Sequence, residues 1–600
     1  MYTQRRRERK NTTALFADQE RVLSNWRLAV FALGLLMAWL AFHDHLFTAW
    51  LLFLPLTGFL FLATRHDKII RNRQSAERAV AFYESGLRRL SNKWQGTGNS
   101  GARFLKADHP YAIDLDIFGR ASLFELLCTA RTQAGEECLA DWLRAPESPN
   151  VVRDRQQAVS ELRPRLDLRE DLAVLGDQVR GTIRPEALAG WGKQPAILFS
   201  SLERGLVVVC VGAVVVTSLL WGLGYGAIPF VVVVLIEQIY VQTLRNRKSQ
   251  IIGTAEKPSR DLAIFALLLA RIEQEKVQSP RLTQLRATLY TEGNAATSKP
   301  PSDRIAHLER LIERLEMSGN QILKLIDYLI QFSTFVTFAI EDWRQRNGPH
   351  IEAWIKAVGE FEALASLSGY AYEHPDDPFP ELIEEELTLE ARGLSHPLLP
   401  ADVAVRNDLA FTADRRLYVV SGSNMSGKST LMRALGVNIV LAQAGAPVRA
   451  YSLRLSPWRI GASIRTQDSL EAGISRFYAE ILRLRQIMDM AEMRTESAPS
   501  SLPSLLFLLD EILHGTNSHD RRLGAEAVIR ALMARGAIGL VTTHDLALAR
   551  IAEETTLYAA NVHLEDQLLD GKMSFDYHLR PGVVEKSNAI ELMRAVGLEV

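Results

Sequence analysis

One nine-residue segment constrains the fold of this 600-residue chain more than any other feature. A short apolar run, LYVV at 417–420, precedes it, and a helical pattern follows it. The segment fits G-x-x-x-x-G-K-[ST], the spacing at which backbone N–H groups, a lysine and a hydroxyl surround phosphate oxygens. The order strand, loop, helix therefore predicts an α/β nucleotide-binding domain. The predicted nucleotide-binding residues are Gly422, Ser423, Asn424, Met425, Ser426, Gly427, Lys428, Ser429 and Thr430.

Two later apolar runs end in residues that suit the same chemistry. Residues 505–509 (LLFLL) lead directly into Asp510 and Glu511. Residues 537–542 form a third apolar run, which is followed closely by His544. Because the carboxyl ends of parallel strands meet at one edge of a sheet, these side chains are expected to lie close to the glycine-rich loop.

Each of these residues has a role that its chemistry predicts. Lys428 is expected to reach the β- and γ-phosphates, and the Ser429 hydroxyl and Asp510 are expected to hold Mg²⁺. The Glu511 carboxylate can orient or deprotonate the attacking water, and the His544 imidazole can contact the γ-phosphate. The sequence therefore predicts an Mg²⁺-dependent ATPase with Glu511 and His544 as catalytic residues.

A further segment lies between the two phosphate motifs. Residues 468–477 (DSLEAGISRF) place Gly473 and Ser475 at the start of a helix, which forms a cradle for an anion. The order of loop, this signature segment, Asp-Glu and then His is the layout of ATP-binding-cassette ATPases. In that division of P-loop proteins, the signature segment completes the ATP site of a partner subunit. We therefore expect Ser475 to bind nucleotide in a homodimer formed through the ATPase domain.

Apolar residues concentrate in two pairs of runs, at 28–42 and 46–63 and at 206–221 and 227–241, of which only the last contains a charged residue, Glu237. Each pair is typical of a helical hairpin in a membrane, although some runs are shorter than the ~20 residues that span a bilayer. Lys and Arg flank both pairs and are missing from both turns, which places the remainder of the chain in the cytoplasm. The predicted location is the inner (cytoplasmic) membrane, multi-pass, with the lipid bilayer as a partner.

Two alternatives compete with the membrane interpretation. The runs could be buried core helices, or the first could belong to a cleaved signal peptide. A signal peptide does not fit, because a second apolar run follows at once without a small-residue cleavage site. Whether the hairpins cross the bilayer fully or sit shallowly stays open at this point.

Charge and cysteine content exclude several classes of protein. Lys and Arg number 69 against 70 Asp and Glu, so any contact with nucleic acid must come from a local basic patch. The 3 cysteines form no CxxC pair, which argues against a disulfide framework and against a cysteine zinc site.

Several segments, in the correct order, resemble the ATPase domain of the MutS family of DNA mismatch-repair proteins. They are residues 391–397, 422–430, 468–477, 510–518, 542–545, 561–564 and 577–588. Residues 123–162 resemble the opening of that family's helical core. The resemblance implies an ATP-sandwich dimer whose helical arms close around DNA. It also implies that Asn424 contacts phosphate, that Ser475 reaches across the dimer and that His563 lies near the adenine.

The chain also departs from the family pattern. An apolar hairpin occupies the N-terminal region, where mismatch-reading members carry a separate domain with a Phe-x-Glu wedge. Residues 82–84 have those letters but lie in a charged helical run. The second hairpin interrupts the helical core, and Leu513, His514 and Arg521 replace residues typical of repair members. These departures count against mismatch recognition but leave the prediction of ATP hydrolysis unchanged.

The predicted architecture is multidomain, with an α-helical core or lever domain that carries two transmembrane hairpins and an α/β P-loop ATPase domain of the ABC type. The expected units are a basic segment with the first hairpin (1–65), a helical linker and the start of the core (66–204), the second hairpin (205–242), a helical lever (243–380) and the MutS-type ATPase domain (391–600).

Two functions remain open from the sequence. The first is a membrane-anchored ATPase that clamps double-stranded or branched DNA. The second is an ATP-driven membrane machine that acts on a protein or on the bilayer and binds no DNA. A single basic surface on the distal helices would favour the first function; its candidate residues are Arg281, Arg286, Arg304, Arg310 and Arg314.

Overall fold

The computed structural model describes most of the chain. The described residues are 1–43, 48–176, 185–255, 259–290, 299–318, 321–384, 387–423, 425–465, 476–492, 504–513, 516–544, 546–549, 558–569 and 572–584.

The first two helices form one long antiparallel hairpin. Helix α1 (Tyr2–Phe42) and helix α2 (Phe53–Leu90) are joined through a short 3-10 turn at Ala49–Leu52. At about 1.5 Å per residue each helix is nearly 60 Å long. Gly34 permits close packing near the tip, since a Cβ there would lie 3.4 Å from Pro55. The apolar side chains concentrate towards the tip, beyond Arg27 of α1 and before Arg65 of α2, and the basic residues lie from these positions towards the base.

The base of this hairpin is fastened to the helical core by buried polar contacts. Tyr2 donates a hydrogen bond to Glu373 (3.1 Å), and Arg89 forms an ion pair with the same carboxylate at 2.6 Å. Tyr83 is fully buried and donates to Glu170. Phe82, the first residue of the Phe-x-Glu letters, is also buried, so it is not presented as a wedge.

Thirteen further helices of the described chain form the core and the second hairpin. Helix α15 runs through the core and most of its residues are buried, in agreement with its largely apolar or small composition. The helices are α3 (Leu123–Leu127), α4 (Gln133–Arg144), α5 (Pro149–Leu162), α6 (Leu166–Gly176), α7 (Pro185–Gly192), α8 (Ser201–Gly222), α9 (Ile228–Ala255), α10 (Ser259–Glu273), α11 (Pro280–Leu289), α12 (Pro301–Ser318), α13 (Gln321–Ile330), α14 (Phe332–Asn347) and α15 (Ile351–Glu373).

Helices α8 and α9 form the second hairpin. Ser200 and Glu203 make a capping box that starts α8, and Gly224 and Gly226 take positive φ angles in the turn. Glu203 also pairs with Arg247 across the base at 2.5 Å. Arg204 is held by Asp342 at 2.6 Å, which ties the hairpin to α14.

Within the described residues, three helices are long and apolar enough to cross a membrane: α1, α8 and residues 228–251 of α9. The predicted run at 46–63 is not among them. Part of it lies outside the described residues, and α2 contributes only residues 53–63 before the charge of Arg65. The structure therefore provides candidate spans for three of the four predicted runs.

The C-terminal region is built on two sheets. A four-stranded sheet has the order β1-β5-β2-β3, and a six-stranded sheet has the order β10-β9-β4-β8-β7-β6. In the larger sheet β6, β7, β8, β4 and β9 are parallel, and β10 is an antiparallel edge strand. The strands are β1 (Glu381–Leu382), β2 (Leu389–Leu394), β3 (Asn407–Phe411), β4 (Leu417–Gly422), β5 (Ser452–Leu455), β6 (Trp458–Ser463), β7 (Ser504–Asp510), β8 (Ile538–Thr543), β9 (Ala559–Leu569) and β10 (Lys572–Pro581).

Helices connect and flank these strands as in a doubly wound fold. Four helices belong to this region: α16 (Lys428–Ala444), α17 (Arg476–Glu492), α18 (Ser518–Ala534) and α19 (Leu546–Ala549). The three strands predicted at 417–420, 505–509 and 537–542 correspond to β4, β7 and β8, which confirms the α/β prediction. The first strand, β1, begins ten residues before the predicted start of the domain at 391.

Two glycines of α15 provide a matched test of core packing. A Cβ at Gly359 would lie 2.7 Å from the backbone of Ala134 in α4, whereas the nearest atom to a Cβ at Gly369 is 3.7 Å away. We expect Gly359→Ala to destabilise the protein by about 1–3 kcal/mol, because the α4 backbone must move. Gly369→Ala should be neutral or stabilising, since alanine is the better helix former. Thermal unfolding in detergent measures both; equal melting temperatures for the two variants would contradict the packing.

Candidate functional site

The carboxyl ends of three parallel strands bring the predicted site residues together. Strand β8 lies between β4 and β7, with Ser421 of β4 level with Thr543 and Asp510 of β7 level with Thr542. The glycine-rich loop leaves the end of β4, and α16 begins at Lys428. The expected edge-of-sheet cluster is therefore present in the fold.

The glycine-rich loop is shaped around positions that exclude a side chain. Gly422 and Gly427 have φ angles of 151° and 98°, and a Cβ at Gly427 would lie 2.9 Å from the Tyr577 ring. The Ser423 and Ser426 hydroxyl oxygens are buried and make no hydrogen bond to any described residue. Buried hydroxyls without partners fit a loop built to donate to phosphate oxygens.

Lys428 lies at the centre of the cluster. Its side chain is 5% exposed, and Nζ donates to the carbonyl oxygens of Gly422 and Ser423 at 2.8 Å each. Nζ is also 3.6 Å from Glu511 Oε1 and 3.4 Å from His544 Nε2. Burial lowers the pKa of the Lys428 ammonium, and the Glu511 carboxylate acts against that shift.

A chain of hydrogen bonds joins the predicted metal ligands. Ser429 Oγ donates to Asp510 Oδ2 at 2.5 Å, and Thr542 donates to the other oxygen of Asp510. In the described residues no group of three or more His, Cys, Asp or Glu could hold a metal ion. One hydroxyl and one carboxylate nevertheless suit Mg²⁺ in a P-loop site, where phosphate oxygens and waters supply the other ligands.

Glu511 is positioned by its backbone as well as by its neighbours. Its φ angle of +47° turns the chain just after β7, and its N–H donates to Thr542 Oγ1 at 3.0 Å. The carboxylate contacts His544 Nε2 directly. Positive φ is rare for a residue other than glycine, and such strain is common at functional sites. The structure thus places the polar side-chain atoms of Glu511, His544 and Lys428 within 3.6 Å of one another.

A cavity of about 260 Å³ opens beside the glycine-rich loop. Met425, Gly427 and Thr430 line it on the loop side, and the opposite wall comes from the segment after β2 and from Tyr577. Among these residues His396 is 8% exposed, and burial, reinforced by Arg433, lowers the pKa of His396 to about 4. The imidazole is therefore neutral near pH 7. A partly apolar cavity next to a phosphate loop can accept a heterocyclic base.

The remaining predicted residues are placed differently. Asn424 and Ser475 lie outside the described residues. His563 lies in β9, 9% exposed, with Nδ1 3.1 Å from the carbonyl oxygen of Gly582. Its neighbour Leu564 lines the cavity, whereas His563 is not part of the lining that the described residues form. Its contact with a base stays a prediction.

Sequence reasoning missed two residues that organise the site. Thr542 bridges Asp510 and the Glu511 N–H, and only the pairing of β7 with β8 reveals this contact. His396 lies in the segment 391–397 that resembles the MutS entry, but no role was assigned to it. The His-Pro letters at the end of a strand were the available signal.

Comparisons with known proteins agree with this geometry. The family model "MutS domain V" matches residues 418–599. The chain is 34% identical over 209 residues to the DNA mismatch repair protein MutS of Lactobacillus delbrueckii subsp. bulgaricus, a match that covers 34% of this chain and 23% of that protein. It is 31% identical over 211 residues to endonuclease MutS2 of Thermus thermophilus, covering 34% and 25% of the two chains.

A longer match is found with the DNA mismatch repair protein MutS of Geobacillus kaustophilus. Identity is 29% over 309 residues, which is 49% of this chain and 32% of that protein. The similarity thus spans a quarter to a third of each relative's length.

Proposed function

We propose that this chain, whose residues 418–599 match MutS domain V, is a membrane-anchored ATPase of the MutS family whose composite ATP site works in a dimer. The observation that carries this proposal is the cluster of Lys428, Glu511 and His544 beside the Ser429–Asp510 pair. Proteins of the MutS family are ATPases, and the glycine-rich loop, the two carboxylates and the cavity of this chain fit ATP.

The geometry supports a role for each residue. Lys428 now donates to loop carbonyls, so it can exchange those bonds for β- and γ-phosphate oxygens without leaving the site. Ser429 and Asp510 would hold Mg²⁺, which neutralises charge on the phosphates when bound. Glu511, held in contact with His544, would orient the attacking water and accept its proton.

We further propose that a second copy of the chain completes the nucleotide-binding site. Lys428, Glu511 and His544 would hold the phosphates of one copy, and by resemblance to the family the signature segment 468–477 of the other copy would contact the same phosphates. Ser475 is the residue we assign to that contact, through its hydroxyl and the N–H groups at the start of α17.

The membrane proposal rests on exposed apolar surface. Helices α8 and α9 carry large apolar side chains that are mostly exposed, among them Val209, Leu219 and Ile239 at 65–70%. Water does not favour such continuous apolar faces on two neighbouring helices. A bilayer that surrounds the hairpins at the cytoplasmic membrane accounts for them, with the ATPase domain in the cytoplasm.

DNA clamping is the proposed use of the ATP cycle, because named relatives act in DNA mismatch repair. The basic residues of the distal helices give this proposal only partial support. Arg281 is neutralised by Glu360 at 2.7 Å, and the Arg304 guanidinium donates to the carbonyl oxygen of Lys299. The alternative, an ATP-driven machine that acts on a protein or on the bilayer, is favoured by the two hairpins.

Substitutions at two residues separate ATP binding from hydrolysis. Lys428→Ala should weaken ATP binding more than tenfold, because the buried ammonium is lost. Glu511→Gln should retain binding within about threefold and lower kcat by about 10²–10⁴, since only the water-orienting carboxylate is removed. Fluorescent-nucleotide titration and phosphate release on the detergent-solubilised chain measure both. Equal ATP affinity in Lys428→Ala and the native chain would overturn the assignment of the loop.

Mixing two inactive variants tests the shared site. Ser475→Arg damages the signature half and Lys428→Ala damages the loop half, so each homodimer is inactive. Their heterodimer should regain about one working site, which yields roughly a quarter of native activity in an equimolar mixture. No recovery in heterodimers confirmed by crosslinking would contradict the shared site.

Stimulation by DNA distinguishes the two uses of the ATP cycle. If the protein clamps DNA, kcat should rise at least twofold with duplex or branched DNA, and the effect should fall steeply as salt increases. Glu511→Gln is the control for contaminating ATPases. If no DNA form stimulates hydrolysis in nanodiscs or in detergent, the protein or bilayer machine becomes the proposed function.

A further inference from the structure

The segment of residues 107–116, here called the strap, lies between the first hairpin and the helical core but packs on the ATPase domain. The Ala462 N–H at the end of β6 donates to the carbonyl oxygen of Pro110 at 2.9 Å. Leu115 is fully buried against Gly436 of α16, where a Cβ would be only 2.7 Å from its methyl groups. The strap thus meets both β6 and the helix that follows the glycine-rich loop.

Asp114 makes the most specific contact of the strap. Asp114 is buried, with 2% of the residue exposed. Its Oδ1 accepts hydrogen bonds from the N–H groups of Ile464 (2.7 Å) and Arg465 (2.8 Å). These are the last residues described before the signature segment. One buried carboxylate oxygen therefore fixes the backbone by which the chain enters that segment.

The strap also holds the far side of the signature segment. In α17, Arg483 donates to the carbonyl oxygens of His109 (2.8 Å) and Ala107 (3.2 Å), and Gln486 donates to that of Asp108 at 2.6 Å. Both flanks of the signature segment are thereby bound to the same ten residues.

The other face of the strap belongs to the helical core. His109 Nε2 lies 3.0 Å from the carbonyl oxygen of Arg144, and Tyr111 donates to that of Leu143 at 2.9 Å, both at the end of α4. Arg433 of α16 donates to the carbonyl oxygen of Asp114 at 3.0 Å. The strap is consequently the link from the core to the two flanks of the signature segment and to the loop helix.

From these contacts we infer that Asp114 is a positioning residue for the half of the ATP site that is offered to the partner subunit. This inference rests on the proposed shared site. Asp114 contacts neither the glycine-rich loop nor Glu511, so it should leave the nucleotide affinity of its own loop unchanged. It should instead determine whether its signature segment is placed correctly against the nucleotide of the other copy.

Substitutions at Asp114 have a distinctive expected pattern. Asp114→Ala removes the acceptor of two buried N–H groups and should lower kcat at least tenfold, with ATP affinity unchanged within twofold. Asp114→Asn retains an oxygen acceptor and should restore kcat to within about threefold of native. Asp108→Ala, in the same segment and with an exposed side chain, is the matched control and should stay within twofold.

Complementation assigns the defect to one half of the site. Asp114→Ala mixed with Lys428→Ala should recover hydrolysis, because the heterodimer contains one loop and one signature segment that are both intact. Asp114→Ala mixed with Ser475→Arg should not recover, since both variants damage the signature half. If Asp114→Ala does not fold in detergent, Arg483→Ala, which releases the other flank, should give the same pattern of recovery.

Two results would overturn the inference. One is recovery of hydrolysis when Asp114→Ala is mixed with Ser475→Arg. The other is no recovery when Asp114→Ala is mixed with Lys428→Ala, under conditions in which the reference mixture of Lys428→Ala with Ser475→Arg does recover. If that reference mixture also fails, the shared site itself is wrong, and the role of Asp114 in it falls with it. A loss of ATP affinity in Asp114→Ala equal to its loss of kcat would likewise contradict a positioning role.

Discussion

The site depends on three parallel strands, β4, β7 and β8, that end at one edge of a sheet. That register brings Lys428 at the start of α16 next to Asp510 and Glu511 after β7 and next to His544 after β8. Strands β4 and β8 are buried throughout and β7 is buried up to Asp510, so the ionisable side chains of the site occur where these buried runs stop. The chemistry of the site is thus a consequence of where the core ends.

The two apolar hairpins join this domain through the helical core. The base of the first hairpin is held by Arg89 and Tyr2 on Glu373, and the base of the second by Arg204 on Asp342. Ion pairs as buried as Arg89–Glu373 are costly to break, because one charge would be left without a partner. The core is therefore held to both hairpins by ion pairs, and the strap connects it to the ATPase domain.

The sequence predicted much of the site because its signals are local. Lys428, Asp510, Glu511 and His544 each follow an apolar run directly, and parallel strands make their convergence a necessity. Asp114 and Thr542 could not be found in this way. Asp114 meets its partners about 350 positions away, and the pairing of β7 with β8 decides what Thr542 contacts.

The two hairpins also show what the sequence could and could not predict. Composition predicted both hairpins, and the structure gives each as a pair of packed helices. Composition could not predict that α1 and α2 extend far past the apolar runs. The parts of these helices nearer the base are polar and are held together by ion pairs such as Arg73–Glu20 at 2.7 Å. Nor could composition predict the start of the ATPase region at β1, a strand of two residues that is defined only by pairing with β5.

The most direct test of the account is how the specific ATPase activity of the native full-length chain depends on its concentration. If two copies share each site, as proposed, activity per molecule should fall on dilution, in step with the fraction of dimer counted by mass photometry in detergent. Activity per molecule that stays constant down to concentrations at which the chain is monomeric with ATP bound would contradict it.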